Sequence, residues 1–287
     1  MQAHHPGIPA GPNHPWVRRY RDLVADGRTS EPGVAVEGAG LLEAALGHGA
    51  VLEAVLVCPE LVRTDRAVGL VDRLDGDGVP LLQVSEKTFA RLSRRDGPDG
   101  VAAVAGLAPT ALQDVDLARY ARVVVLDGLE LPGNVGSLVR CASAIGAAAV
   151  LCTGARVRVS NPLIVKASVG AVFSVPIVTT SEEEALGWLL ANHVQVVAAD
   201  PTATTSYRDA HYSQRVAVVL GSERYGLGRF WRNAADERLA IPMLGRVDSL
   251  NAGHAGALFL FEVAHRHWSA EASPGEGDTN RGGGPTG

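Results

Sequence analysis

Short apolar runs alternate with stretches of helical spacing over most of the chain, most clearly in its second half. Each apolar run is four to six residues long and is typical of a strand buried on both faces of a parallel sheet. The expected strands are 123–126, 149–152, 194–199, 216–220 and 238–242. The expected helices are 136–145, 162–172, 181–191 and 250–265. This alternation predicts an α/β domain with a mostly parallel sheet over residues 121–270.

The first half of the chain shows a weaker form of the same alternation. Trp16, Val17, Tyr20 and Leu23 have helical spacing, and Ser85 is a suitable N-cap for a helix that passes through residues 89–92. The other expected elements are strands at 33–38, 52–57, 80–84 and 101–104 and a helix at 41–46. The pattern predicts a small α/β domain at residues 13–107, joined to the second domain by a linker at 108–120.

The two ends of the chain carry no such pattern. Residues 1–12 and 271–287 are rich in Gly, Pro and polar residues, and they are predicted to be a disordered leader and tail. The leader lacks the apolar segment of a signal peptide, and no apolar run reaches the roughly 18 residues that a membrane span needs. Cys58, Cys141 and Cys152 are too far apart to indicate a disulfide framework or a zinc site, so a cytoplasmic location and no bound metal are expected.

The charge balance limits how the chain could bind nucleic acid. The 26 basic and 31 acidic residues give a net charge of −5, so any contact with RNA has to come from local clusters of arginine. The candidate phosphate-binding residues are Arg18, Arg19, Arg21, Arg94 and Arg95. An equally acceptable interpretation is that these arginines only lie on solvated faces of helices.

Three loops that follow apolar strands contain the candidate chemistry, because ligands of an open parallel sheet bind at the carboxyl ends of its strands. The first, 127–140, is rich in glycine, and Gly133 and Gly136 would let the backbone approach a ligand. The second, 221–228, places Glu223 next to a strand end, and the third, 241–251, precedes the last helix. Each loop taken alone is also compatible with an ordinary turn, in which Glu223 or a neighbour simply favours a helix start.

A nicotinamide-dependent oxidoreductase is the first alternative, and the glycine-rich stretches 38–43 and 226–231 argue against it. Two stretches begin like the dinucleotide-binding fingerprint, but Glu43 and Trp231 stand where its third glycine belongs. That glycine permits close packing of helix on strand, so both matches are poor.

Taken together, the three loops resemble the three motifs of the SpoU family of RNA ribose 2′-O-methyltransferases, within the SPOUT superfamily. The order and spacing match in residues 134–140, 220–227 and 241–251, and residues 36–38 and 99–104 resemble the family's small substrate-binding domain. The resemblance covers about residues 15–268 and includes the 23S rRNA methyltransferases of the avilamycin- and thiostrepton-resistance type. It departs from the family at Ser222 and at 252–254, where asparagine and Val-Ser are usual.

The resemblance implies a fold and a cofactor that the pattern alone does not. It implies a SPOUT domain with a C-terminal trefoil knot, assembly as a homodimer, and S-adenosylmethionine bound in the knot. The residues expected to contact the cofactor are Leu220, Gly221, Ile241, Met243 and Leu250.

The resemblance also implies the catalytic residues. They are Asn134, Arg140, Glu223, Ser249 and Asn251. An arginine side chain is a donor rather than a base, so Arg140 is expected to orient a phosphate oxygen that accepts the proton of the ribose hydroxyl. Asn134 would position the ribose, and Glu223 would orient the basic groups.

These implications predict methylation of 23S rRNA, with resistance to a ribosome-targeting antibiotic as a further hypothesis. Two alternatives stay open, a tRNA substrate and a non-catalytic RNA-binding module that has kept the fold.

Overall fold

The computed structural model describes residues 7–25, 33–107 and 109–272, which form two α/β domains built on separate sheets. The first domain has five strands in the order β1-β4-β3-β5-β2, and β5 runs antiparallel to both of its neighbours. Its strands are β1 (Ile8–Pro9), β2 (Val34–Glu37), β3 (Leu52–Val57), β4 (Leu81–Gln83) and β5 (Val101–Ala105). Its helices are α1 (Pro15–Ala25), α2 (Ala39–Gly47), α3 (Asp65–Gly76) and α4 (Glu86–Leu92).

The helices cover both faces of this sheet. Tyr20 of α1 and Phe89 of α4 are buried in a core cluster on one face, whereas Leu42 of α2 and Leu70 of α3 lie in the cluster on the other face. The predicted cap is confirmed, since the Ser85 hydroxyl accepts a hydrogen bond from the Thr88 amide at 3.4 Å. Helix α3 was not predicted from the sequence.

The predicted disordered leader is wrong for residues 7–12, whereas residues 1–6 lie outside the described residues. Ile8 and Pro9 pair in parallel with Leu82 and Gln83, and the Ala10 amide donates to the Gln83 carbonyl at 2.7 Å. A strand of two residues has no periodicity to detect, so only the open edge of β4 accounts for it.

The second domain contains a seven-stranded sheet in the order β10-β12-β9-β11-β6-β7-β8, in which every pair is parallel. Its strands are β6 (Ala121–Asp127), β7 (Ala149–Thr153), β8 (Ile177–Thr179), β9 (Gln195–Ala199), β10 (Thr205–Ser206), β11 (Arg215–Leu220) and β12 (Glu237–Ala240). Its helices are α5 (Pro132–Ala144), α6 (Pro162–Ala167), α7 (Glu182–Ala191), α8 (Arg229–Ala234) and α9 (Ala252–Ala272). The five long strands confirm the prediction, and β8, β10 and α8 are too short to have shown a pattern.

Helices lie on both faces of the large sheet. Leu138 of α5 and Phe259 of α9 pack on one face, and Leu189 of α7 and Trp231 of α8 pack on the other. The segment predicted as a linker, 108–120, partly belongs to this domain, because Val115 lies in the same core cluster as Leu189 and Trp231. None of the helices in the described ranges is long and apolar enough to cross a membrane.

Three helix ends differ from the prediction. Helix α5 begins at Pro132, so Gly136 lies inside it, and a Cβ there would come within 2.6 Å of Ala167 Cβ in α6. The prediction that Gly136 serves a ligand is therefore wrong, because it serves close helix packing. Helix α6 ends at Ala167, five residues early, and α9 continues to Ala272. Residues 273–287 of the predicted tail lie outside the described residues.

Candidate functional site

A cavity of about 430 Å³ lies at the carboxyl ends of β9, β11 and β12, where the segments 221–227 and 241–251 meet the start of α9. This is the edge of the sheet at which the sequence predicted ligand chemistry. All five residues predicted to contact the cofactor line the cavity. They are Leu220, Gly221, Ile241, Met243 and Leu250.

Glu223 connects two of the three loops. Its carboxylate accepts hydrogen bonds from the Glu130 amide at 3.0 Å, from the Leu131 amide at 3.3 Å and from Asn134 Nδ2 at 2.7 Å. Two of these donors are backbone groups of the loop after β6, and the third lies in the first turn of α5. The segment after β11 is thereby fixed to the segment after β6.

Asn134 and Asn251 extend this network to the third loop. Asn251 Nδ2 donates to Asn134 Oδ1 at 3.1 Å, and Asn251 Oδ1 accepts from the amide of Gly253 at 2.9 Å. Asn251 stands directly before the first residue of α9 and therefore caps this helix. Ser249 lines the cavity.

The charge of Glu223 is stabilised by its donors. Partial burial pushes the pKa of this carboxyl up, but the hydrogen bonds from the Glu130 amide and from Asn134 outweigh burial and leave the pKa below its usual value. Glu223 is thus an ionised anchor that accepts hydrogen bonds, with no proton to give at neutral pH.

Arg140 stands apart from this network. It lies on the exposed side of α5 with Gly133 and Ser137, and it does not line the cavity. Within the described ranges its side chain makes no hydrogen bond or ion pair. The structure thus brings four of the five predicted catalytic residues together, and it leaves the arginine free at the surface of the same helix.

Asp200 and Phe259 also line the cavity, although the sequence analysis did not select them. Asp200 is 1% exposed, and its Oδ2 has no hydrogen-bond partner among the described residues, although Arg232 and Arg238 each approach to 3.6 Å. Its position directly after β9, at the same edge as the three loops, was a signal that could have been used.

Close backbone packing forms one wall of the cavity. A Cβ on Gly221 would lie 2.4 Å from the carbonyl carbon and oxygen of Gly226, so only glycine fits where the segment after β11 folds back on itself. Gly221 therefore allows the backbone on the two sides of this turn to come into close contact.

The predicted phosphate contacts have unequal surroundings. Arg19 forms an ion pair with Glu53 at 3.0 Å, whereas Arg18 is exposed. The others also differ, because Arg95 lies 3.5 Å from Asp99 and Arg21 lies 3.3 Å from Asp22, while Arg94 is exposed. No group of three or more His, Cys, Asp or Glu side chains within the described ranges could hold a metal ion.

Two families match the chain at the positions of its two domains. Residues 121–261 match the SpoU rRNA methylase family, and residues 20–103 match the MRM3-like substrate binding domain.

Solved structures share both domains. The chain is similar to an RNA 2′-O ribose methyltransferase, at 34% identity and a TM-score of 0.76, over 92% of this chain and 100% of that one. It is also similar to an rRNA methyltransferase from Sinorhizobium meliloti crystallised with S-adenosylmethionine, at 29% identity and a TM-score of 0.78, over 91% and 98% of the two chains.

A curated relative is a protein assigned to the TrmH family of tRNA/rRNA methyltransferases in Staphylococcus epidermidis, 36% identical over 155 residues. The match covers 54% of this chain and 62% of that protein, so the chain spans less than two thirds of its relative's length.

Proposed function

The chain belongs to the SpoU rRNA methylase family, and on that basis we propose that it transfers the methyl group of S-adenosylmethionine to a ribose 2′-hydroxyl in 23S rRNA. The observation that carries the proposal is the hydrogen-bond network in which Asn134 joins Glu223 to Asn251. It links three separate loops at one side of a cavity, which is the arrangement that an orienting enzyme needs.

The cavity suits the cofactor in its chemistry. Leu220, Leu239 and Phe259 supply apolar walls for a purine ring, and Asp200, which is paired with Arg232 and Arg238, adds a carboxylate to the lining. Leu220, Gly221, Ile241, Met243 and Leu250 would hold the cofactor. When bound, S-adenosylmethionine supplies an activated methyl group on a sulfonium.

The chain's own residues would position the ribose. Asn134 is fixed on one side by Glu223 and on the other by Asn251, so its amide has a set orientation. Because both contacts exist without RNA, the geometry is organised before the substrate arrives, and less free energy is needed to order it.

Arg140 would act on the phosphate next to the target ribose. A guanidinium holds phosphate oxygens through paired hydrogen bonds, and a phosphate oxygen held in this way can accept the proton of the 2′-hydroxyl. The exposure of Arg140 leaves it accessible to the backbone of a bound RNA. Ser249, at the cavity wall, would complete the hydrogen bonds of the pocket.

We assign the large subunit rRNA as substrate on two grounds. The family that matches the second domain is named for rRNA methylation, which supports rRNA. The choice of the large subunit rests on the resemblance of the first domain to those of enzymes that act on large-subunit rRNA. Action in the cytoplasm follows from that substrate. For residues 121–270 we propose the SPOUT fold with a C-terminal trefoil knot, in which both the 221–228 and the 241–251 loops wrap one cofactor.

We further propose that the protein is a homodimer. Helix α9 exposes three large apolar side chains, Leu258, Phe261 and Trp268, at 41%, 45% and 48%. Apolar side chains repeated along an exposed helix face favour a helical partner. A second copy packed on α9 would lie next to α5, because α5 and α9 are neighbours.

The test is transfer of tritiated methyl groups from S-adenosylmethionine to 23S rRNA, with tRNA in parallel and 2′-O-methyl sites mapped afterwards. We expect label at one ribose of 23S rRNA and its loss in Arg140→Ala. Label in tRNA alone would overturn the substrate and keep the enzyme class. No label in rRNA, tRNA or assembled subunits would favour a non-catalytic RNA-binding module.

The most specific level of this proposal is resistance to a ribosome-targeting antibiotic, and it rests on the family resemblance. The measurement is the inhibitory concentration of such drugs for a sensitive bacterial host that expresses the chain. The active-site variant Glu223→Ala is the control. Unchanged susceptibility to all of them would overturn this level alone.

A further inference from the structure

The turn after β11 presents two side chains that the proposed mechanism does not use. Glu223 faces the network, and Gly221, Ser222 and Gly226 line the cavity, but the side chains of Arg224 and Tyr225 are exposed at the apex of the turn. All five tyrosines lie in the described ranges, and Tyr225, at 68%, is the only one that is exposed. Tyr225 therefore offers an apolar ring face beside the ligand cavity, on which a planar group could pack.

The turn that carries this ring is held in place from both ends. The Ser222 hydroxyl accepts from the amides of Arg224 at 3.3 Å and Tyr225 at 3.4 Å, and the Gly226 amide donates to the Ser222 carbonyl at 2.8 Å. Gly226 has a φ of +67°, which a side chain would disfavour. The apex is therefore fixed relative to Glu223, one residue away.

Arg224 and Tyr225 also form a pair. The Arg224 guanidinium lies over the Tyr225 ring, 5.2 Å from its centroid. This contact supports one face of the ring, and it places a positive charge where a phosphate backbone would pass.

We infer that Arg224 and Tyr225 form a stacking platform for an unpaired base of the substrate RNA. The inference rests on the proposed function and names the contact by which the RNA is positioned. Proteins read single-stranded RNA mainly by stacking bases on aromatic rings and arginine planes, and any base offers such a face. A base stacked here would hold its RNA strand beside the cavity that Ser222 and Gly226 line.

The first test measures RNA binding without methyl transfer. The affinity of the full chain for fluorescein-labelled single-stranded oligoadenylate is measured by anisotropy in the presence of S-adenosylhomocysteine. Tyr225→Ala should weaken binding about tenfold, and Tyr225→Phe, which keeps the ring, should stay within about twofold of the original. The matched control is Leu190→Ala, an apolar residue of α7 that is 58% exposed. Equal affinity of the Tyr225→Ala variant and the original protein would overturn the platform.

The second test separates positioning from structure. With 23S rRNA as substrate, Tyr225→Ala should raise KM about tenfold and leave kcat and the calorimetric Kd for S-adenosylmethionine unchanged. A matching loss of cofactor affinity would assign the ring to the cavity wall, and a shift of the sedimentation equilibrium toward monomer would assign it to the partner subunit; either result overturns the platform. If the unaltered chain transfers no methyl group, the proposed function fails, and the oligoadenylate result still decides the platform.

Discussion

The inner and outer sides of α5 contain the two halves of the same candidate site, and they are organised differently. On the inner side, Asn134 is buried and hydrogen-bonded to both Glu223 and Asn251. On the outer side, Arg140 is exposed and has no partner in the described ranges. A single chain thus completes the half next to the cofactor cavity, and it leaves the half that would meet RNA open.

The difference indicates where the free energy of ordering is supplied. The hydrogen bonds of Glu223 form during folding, so they belong to the stability of the chain. Any contact of Arg140 has to form on binding, so it belongs to affinity and rate. Substitutions on the outer side of α5 should therefore affect affinity and rate alone, whereas substitutions in the inner network should affect stability as well.

Arg140→Ala should have the largest effect on transfer and almost none on the fold. Removing a charge that acts on the reacting phosphate should lower kcat about 1000-fold. Because Arg140 is exposed, the melting temperature and the Kd for S-adenosylmethionine should not change. Arg140→Lys, which keeps the charge and loses the paired geometry, should recover part of the rate. A melting temperature lowered by several degrees would mean that Arg140 belongs to the framework after all.

Glu223→Ala should affect both kinds of measurement. Three donors lose their acceptor, so the free energy of unfolding should fall by about 1–3 kcal/mol. Asn134 would lose its orientation, and a displacement of about 1 Å typically costs about 100-fold in rate. Glu183→Ala, at an exposed carboxylate of α7, is the control for loss of charge. Full stability in Glu223→Ala, measured by urea unfolding, would show that the network does not hold the loops together.

The sequence selected residues on both sides of α5, but it did not show how those on the inner side are joined. Glu223, Asn134 and Asn251 could be selected because strand ends and motif spacing place them at one sheet edge. The hydrogen bonds that join them could not be foreseen, since they depend on α5 starting at Pro132 rather than at residue 136. That shift puts Asn134 in the first helical turn, where its side chain meets Glu223.

The local sequence pattern also did not show features that depend on residues far away in the chain. The position of Asp200 after β9 could have been used, but its ion pairs with Arg232 and Arg238, more than 30 residues away, could not be foreseen. The two-residue strand β1 was assigned to a disordered leader because only the edge of β4 makes it a strand. Long apolar strands were predicted well, since burial on both faces leaves a signal in every residue.

Two carboxyl groups at the ends of neighbouring strands should respond to pH in opposite directions. Hydrogen bonds hold the pKa of Glu223 below its usual value despite burial, so its contribution to stability is present at neutral pH and lost as the pH falls through the folded value. Burial raises the pKa of Asp127 despite the hydrogen bond from Thr153, so its contribution is present in acid and lost as the pH rises.

Urea unfolding of Glu223→Gln and Asp127→Asn measures this contrast. Relative to the original chain, Glu223→Gln should be more destabilising near pH 7 than near about pH 3, and Asp127→Asn should be less destabilising near pH 7 than in acid. Parallel profiles for the two variants would contradict the assigned directions.

Gly221→Ala tests whether the cavity wall depends on close backbone packing. The new methyl group would lie 2.4 Å from the Gly226 carbonyl, so the turn has to shift, at a cost of about 1–3 kcal/mol in stability. Calorimetry should show a weaker Kd for S-adenosylmethionine, by about tenfold. Gly133→Ala is the matched control, because a Cβ there meets no atom of the described residues within 4 Å. If both alanine variants bound the cofactor equally well, the wall would be more tolerant than the geometry implies.

The smallest effect separates two neighbouring arginines of α1 that the sequence could not distinguish. Arg19 pairs with Glu53 at 3.0 Å and lies over the Trp16 ring, so Arg19→Ala should lower stability by about 1 kcal/mol and leave RNA affinity unchanged. Arg18 is exposed, so Arg18→Ala should leave stability unchanged. It should weaken binding to 23S rRNA about threefold and reduce the slope of log affinity against log salt by about 1, measured by filter binding. Unchanged affinity and slope in Arg18→Ala would remove Arg18 from the RNA surface, and the exposed Arg94 would then be the next candidate phosphate contact of the first domain.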